Sequence, residues 1–171
     1  MSFNTNAPVV KQQATEQTAA AIKYLRQGWT AQAFLLLSEQ ESEKDPAARF
    51  ALGICHFRIG DMSSAISCFE QALNLLKAAP PVPSQSAATR GPAENSETYI
   101  RLTAKQVEEM VYLTPMDADF CVRFPKSAEQ IALLALIHAY KQKGMNEQAQ
   151  RLSSGLIGPA FEAFKKNLSG N

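Results

Sequence analysis

Few residues in this sequence are of the kinds that do chemistry. The histidines are His56 and His138, the cysteines are Cys55, Cys68 and Cys121, and Asp117 and Asp119 precede the last of these. Cys55 adjoins His56, and a cysteine beside a histidine can serve as nucleophile and base when the side chains meet. Neighbours on one helix point about 100° apart, so these two cannot meet each other. Cys55 and Cys68 could approach across a helix pair, yet a cysteine on an apolar helical face packs as a small core residue. Neither histidine has a His, Asp or Glu three or four residues away, the spacing that would put two metal ligands on one helix face.

Asp117, Asp119, Cys121 and Arg123 form the one polar run that could converge on a substrate. The run lacks the glycine turn and closing glutamate of a calcium loop. A glycine-rich phosphate loop is missing from the sequence, and the single Trp29 falls at a turn, where packing explains it. These residues predict no catalytic group, no metal site and no cofactor.

The elements that would position any site follow from an internal repeat. Phe50 to Ala72 carries Leu52-Gly53, then Gly60, then Ala65, Phe69 and Ala72. Gly60 ends one helix in a conformation that only glycine adopts cheaply. Ala65, Phe69 and Ala72 then fall three or four residues apart on one face of the next helix, where the alanines permit close approach and Phe69 fills the gap. The skeleton recurs upstream as Tyr24, Gly28 and Ala33, and downstream as Tyr140, Gly144 and Ala149.

This pattern resembles the tetratricopeptide repeat family. The resemblance implies an all-α fold of about three antiparallel helix hairpins, with Gly28, Ala33, Gly53, Gly60, Ala65, Phe69, Ala72, Gly144 and Ala149 as its structural positions. It also implies that the first helix of each pair lines a concave groove that receives a partner. The groove residues would then be Ile22 and Leu25 from the first pair, with Thr15, Thr18 and Ala19 beside them. Ala47, Phe50, Ala51, Ile54 and Phe57 follow from the second pair, and Ile131, Leu134, Ala135, His138 and Lys141 from the third. Members of that family that clamp acidic carboxy-terminal tails carry asparagine, lysine and arginine where this chain has Thr18, Ile22, Ala51, Ile131 and Ala135, so that clamp is absent. The apolar lining implies an apolar segment of a partner protein, a second copy of the chain, or the chain's own insertion as occupant.

Punctuation places the helices. Asp45-Pro46 reads as an N-cap followed by proline in the first turn. Ser127 with Gln130, and Thr103 with Gln106, have capping-box spacing. The predicted helices span 10–27, 30–42, 46–59, 62–77, 104–113, 127–143 and 146–154, with a capping helix over 159–168. Residues 78–96, rich in proline, serine and alanine, read as a mobile loop. Residues 97–125 read as a structured insertion, with Phe120, Val122 and Phe124 alternating as an extended segment that could pair with Tyr99–Leu102 in a hairpin.

A chain of 171 residues fits one domain, 1–171, with a core of its own. Its net charge of +1 leaves it without the basic footprint of a nucleic-acid binder. Its first residues lack a signal-peptide pattern, and it has no apolar run of the ~18 residues that membrane insertion needs. Three widely spaced cysteines argue against a disulfide framework and for the reducing cytoplasm. The function expected is a non-enzymatic scaffold, adaptor or chaperone-like holder that binds a protein or peptide. The alternatives are a repeat platform carrying a regulatory or enzymatic insertion at 97–125, and a small repeat-type chaperone of a bacterial secretion system.

Overall fold

The computed structural model describes residues 7–39, 44–79 and 97–169. Helices account for about four-fifths of them, and no strand occurs among the described residues. In chain order the helices are α1 (Ala7–Arg26), α2 (Thr30–Ser38), α3 (Pro46–Arg58), α4 (Met62–Ala78), α5 (Glu97–Glu108), α6 (Ala118–Arg123), α7 (Pro125–Gln142), α8 (Asn146–Ser153) and α9 (Glu162–Ser169). Short 3₁₀ turns at Val111–Leu113 and Pro159–Phe161 lead towards α6 and α9. The mobile loop expected at 78–96 lies outside the described residues from position 80 onward, as do the last residues expected of the helix at 30–42.

Three turns between consecutive helices are built alike. Gly28, Gly60 and Gly144 have φ of 85°, 83° and 80°, in the left-handed region where a Cβ is strained. In each, the glycine N–H donates three residues back, to Leu25, Phe57 or Lys141. The next N–H donates five residues back, to Tyr24, His56 or Tyr140. This hydrogen-bond pair is the Schellman motif, which satisfies helix-end carbonyls that would otherwise be orphaned. Five residues after each glycine stands an alanine with no exposed surface, Ala33, Ala65 or Ala149. A zero-exposure alanine at a helix crossing leaves no room for branching.

Packing follows chain order. α1 meets α2 and α3, α2 meets α3, α3 meets α4, α4 meets α7, and α7 meets α8. The insertion thus leaves the succession and α7 resumes it. The core runs through Leu25, Leu37, Phe50, Ile54, Phe69, Leu136 and Ile137, all buried, with the rings of Phe50 and Phe69 5.3 Å apart.

Asp45 caps α3 as expected: its Oδ1 accepts from Ala47 N at 2.9 Å, and Pro46 fills the first turn. Its Oδ2 also accepts from the buried Thr18 hydroxyl at 3.3 Å, tying α1 to the start of α3. Asp45→Ala should cost about 1–2 kcal/mol, a cap together with a cross-helix acceptor. Urea unfolding would read this as a lower midpoint at unchanged slope, and an unchanged midpoint would remove Asp45 from the stability of the first hairpins.

Several expected boundaries are overturned. Thr103 and Gln106 lie inside α5, which starts at Glu97, so they form no capping box. The helix expected at 104–113 breaks instead at Met110, whose φ of 53° is left-handed, and continues only as the 3₁₀ turn. The Ser127–Gln130 box is not formed either. α7 begins two residues earlier at Pro125, with Phe124 at its N-cap and no side-chain cap, because proline's fixed φ favours the first helical turn. The hairpin of Tyr99–Leu102 with Phe120–Phe124 does not exist, since both stretches are helical.

Candidate functional site

The insertion folds back on the helices that flank it. α5 packs on the Pro159–Phe161 turn and on α9, the Val111–Leu113 turn packs on α7, and α6 packs on both α3 and α7. Between these walls lies an open cleft of about 740 Å³. α5 presents Ile100, Thr103 and Val107 to it, and α7 presents Ser127, Ile131 and Leu134; both sets have the three-and-four spacing of a single helix face. Phe120 and Phe124 close one side, their rings 5.5 Å apart, with the Arg123 guanidinium 5.6 Å from the Phe124 ring.

The far wall is the Ile157–Phe161 segment. Gln130 holds it by accepting from Ile157 N at 3.1 Å and donating to Gly155 O at 3.3 Å. Most of the lining is apolar, and its polar side chains are Thr103, Gln106, Lys126, Ser127, Glu129 and Gln130. Phe124 is 49% exposed and Ile157 79%, far more water contact than residues of their size normally keep.

A smaller hollow of about 270 Å³ adjoins the cleft, and the two share Val107, Tyr112 and Ala160. Tyr112 is buried, and its Oη lies 2.7 Å from His138 Nδ1 on α7. Burial pushes the Tyr112 phenol up to about 12. Burial, then the ammonium of Lys141, push His138 below the ordinary histidine range. The neutral ring packs edge-on against Phe57, with centroids 5.3 Å apart.

The residues expected to line a concave groove divide sharply. Ile22, Leu25, Ala47, Phe50, Ala51, Ile54 and Leu134 are at most 3% exposed. They are core residues and not an open surface. Leu134 alone of these touches the cleft, at its floor. Phe57 and His138 are half-buried beneath the insertion, and Lys141 is exposed at the smaller hollow. Of the structural positions, Gly53 and Ala72 are buried at the α3–α4 contact together with Ala65 and Phe69.

The polar run of the insertion does not converge. Asp117 Oδ1 caps α6 by accepting from Phe120 N at 2.8 Å, while its Oδ2 pairs with Arg26 at 3.3 Å. Asp119 pairs with Arg123 one turn away, and Cys121 is buried. Burial pushes Cys121 up to about 12 and Cys55 up to about 11, and it raises Cys68 as well, so all three are neutral thiols near pH 7. His56 Nδ1 lies 3.3 Å from Asp61 Oδ2, with Phe34 edge-on at 5.6 Å. Trp29 stacks on Tyr24 at 5.6 Å and is 55% exposed. No group of three or more metal-ligating side chains occurs among the described residues, and none of their helices is long and apolar enough to cross a membrane.

The cleft's aromatic side carried a sequence signal that alternation hid. Asp117 stands three residues before Phe120, the spacing of an N-cap, and Phe120 and Phe124 are four apart, the spacing of one helical face. Compared with known proteins, the chain matches no family model, no curated protein and no solved structure.

Proposed function

We propose that the chain is a tetratricopeptide-like helical array that binds an apolar segment of a partner polypeptide, and that it does so in the cleft between its insertion and α7. Three like turns with buried alanines at a fixed offset support the array. The observation that carries the function is the cleft itself, about 740 Å³ and mostly apolar in its lining, with Phe124 and Ile157 exposed to water. Ligand sites have that make-up, and exposed apolar surface of this kind marks interaction sites on soluble proteins. Two facing helical stripes suit a third helix laid between them, the helix-in-groove mode of peptide recognition.

Displayed-peptide selection on the full chain would test this. The selected peptides should share apolar anchors at helical spacing. Phe124→Asp and Ile157→Asp should each weaken them at least about tenfold, or roughly 1.4 kcal/mol, since both place a charge against the peptide. Both side chains are exposed, so the thermal midpoint should hold within the range of surface substitutions. Peptides that bind both variants as they bind the parent would remove the cleft as the site.

A further inference from the structure

The second helix of each like-built hairpin turns one face outward. On α4 that face carries Ser67, Gln71 and Asn74, and on α8 it carries Glu147, Gln150 and Arg151, all exposed and polar. α2 departs from this pattern. Alone among the described helices it contains no charged residue. Its Ala33 and Leu37 are buried, while Phe34 is exposed and Leu35, on the outer side, is 60% exposed. A helix apolar on both sides belongs in an interior. The helices that α2 packs on are α1 and α3, and they leave Leu35 in water.

The ends of α2 differ in charge. At the Thr30 end, Arg58 Nη1 donates to Thr30 Oγ1 at 3.0 Å and to Leu25 O at 3.2 Å, while Glu39 stands at the other end as the C-cap. Both are exposed, and neither forms an ion pair among the described residues. The Thr30 end also has no side-chain cap, so its first N–H groups can take an outside acceptor. Exposed Trp29 and Ile59 flank that end, one before Thr30 and the other after Arg58. Aromatic residues in an uncharged surround are the make-up of interface centres.

We infer that two copies of the chain meet on this face, α2 crossing α2 antiparallel about a two-fold axis at Leu35. A two-fold axis sets one patch against itself, so the patch must be its own complement. Leu35 stands midway between Ala31 and Glu39. In that register Leu35 packs on Leu35 of the partner subunit, and Glu39 lies over Ala31 of the partner subunit. The helix has nine residues and is only about 13 Å long, so Glu39 then reaches the uncapped end of the other α2 and its Arg58. The axis forms this pair twice. Parallel crossing would instead set Glu39 against Glu39 and Arg58 against Arg58. An unrelated partner would have to bring both charges at this spacing, whereas a second copy carries them already.

The cleft takes none of its lining from α1 to α4, so the pairing does not depend on the peptide-binding reading and leaves both clefts open. One crossing of short helices is a small contact, and the association is weak and concentration-dependent.

Sedimentation velocity of the full chain from about 1 μM to about 1 mM should show monomer passing into dimer. Leu35→Asp should abolish the dimer over that range, since it sets two carboxylates together at the axis. Glu39→Arg and Ala31→Glu should each weaken association at least about tenfold, because each puts like charges face to face. All three positions are exposed, so thermal midpoints should stay within the range of surface substitutions. The decisive sample is an equal mixture of Glu39→Arg and Ala31→Glu chains. Antiparallel pairing matches the new arginine of one with the new glutamate of the other and keeps the parental pair at the opposite seam, so the mixture should dimerise at parental concentrations.

A chain that stays monomeric throughout would overturn the inference and leave the α2 face to another protein or to the chain's own remaining residues. A dimer that survives Leu35→Asp would place the contact elsewhere and overturn it too. A mixture no better than its two components would overturn the antiparallel pairing.

Discussion

Phe50→Asp should leave no cooperatively folded protein. Phe50 has no exposed surface and lies against Phe69 at 5.3 Å. Truncating a buried phenylalanine costs about 3–5 kcal/mol, and a carboxylate left there without a partner costs several more. A domain of this size is held by only about 5–15 kcal/mol. Far-UV circular dichroism through a urea titration would show the loss as a missing transition, or as one already complete near zero denaturant. A variant that unfolds within about 1 kcal/mol of the parent would mean that Phe50 is not buried. Partner loss in Phe50→Asp would therefore report on the fold and not on a groove. Phe124 and Ile157, exposed at the cleft, are the positions where a charge tests binding.

That reassignment shows which parts of the molecule were legible in the sequence. Gly28, Gly60 and Gly144 sit in the turns because a left-handed residue that ends a helix is a local requirement, satisfied within six residues of chain. Asp45-Pro46 is local in the same way. The apolar faces of α3 and α4 were legible as faces, since periodicity marks which side is buried. Periodicity does not say what buries it. Ala51 and Ile54 read equally well as groove and as core, and they are buried in α3, which packs against α1, α2, α4 and α6.

The insertion was misread for a related reason. Phe120, Val122 and Phe124 alternate as a strand would, and in so short a stretch alternation competes with the four-residue spacing of Phe120 and Phe124. The segment is helical, capped by Asp117, and no strand occurs among the described residues to pair with it. The same segment carries Met110, a methionine at φ 53° where glycine or asparagine would be cheaper, so no residue preference marked that break. Cleft residues such as Ile157 and Gln130 come together only through the tertiary contact of the loop after α8 with α7, which no local pattern encodes.

Gly53→Ala is expected to destabilise the chain, against the usual sign. In an exposed helix interior, replacing glycine by alanine gains about 1 kcal/mol, because the backbone loses less entropy on folding. Gly53 lies in α3 where that helix crosses α4, and a Cβ built there falls 2.6 Å from Cδ1 and Cε1 of Phe69 and 3.2 Å from Cβ of Cys68. Those ring carbons have little room, since Phe69 is fully buried and its ring lies 5.3 Å from that of Phe50. Forcing a methyl group into such a contact costs about 1–3 kcal/mol, which outweighs the helical gain. Net of that gain, urea unfolding should show a loss of up to about 2 kcal/mol for Gly53→Ala, and Gly53→Val should lose more. The contact also predicts its own remedy. Phe69→Leu alone opens a gap, but in the Gly53→Ala background it relieves the clash, so the double variant should be at least about 1 kcal/mol more stable than the sum of the single losses. Additive losses, or a Gly53→Ala chain more stable than the parent, would show that α3 and α4 do not meet with Gly53 against the Phe69 ring.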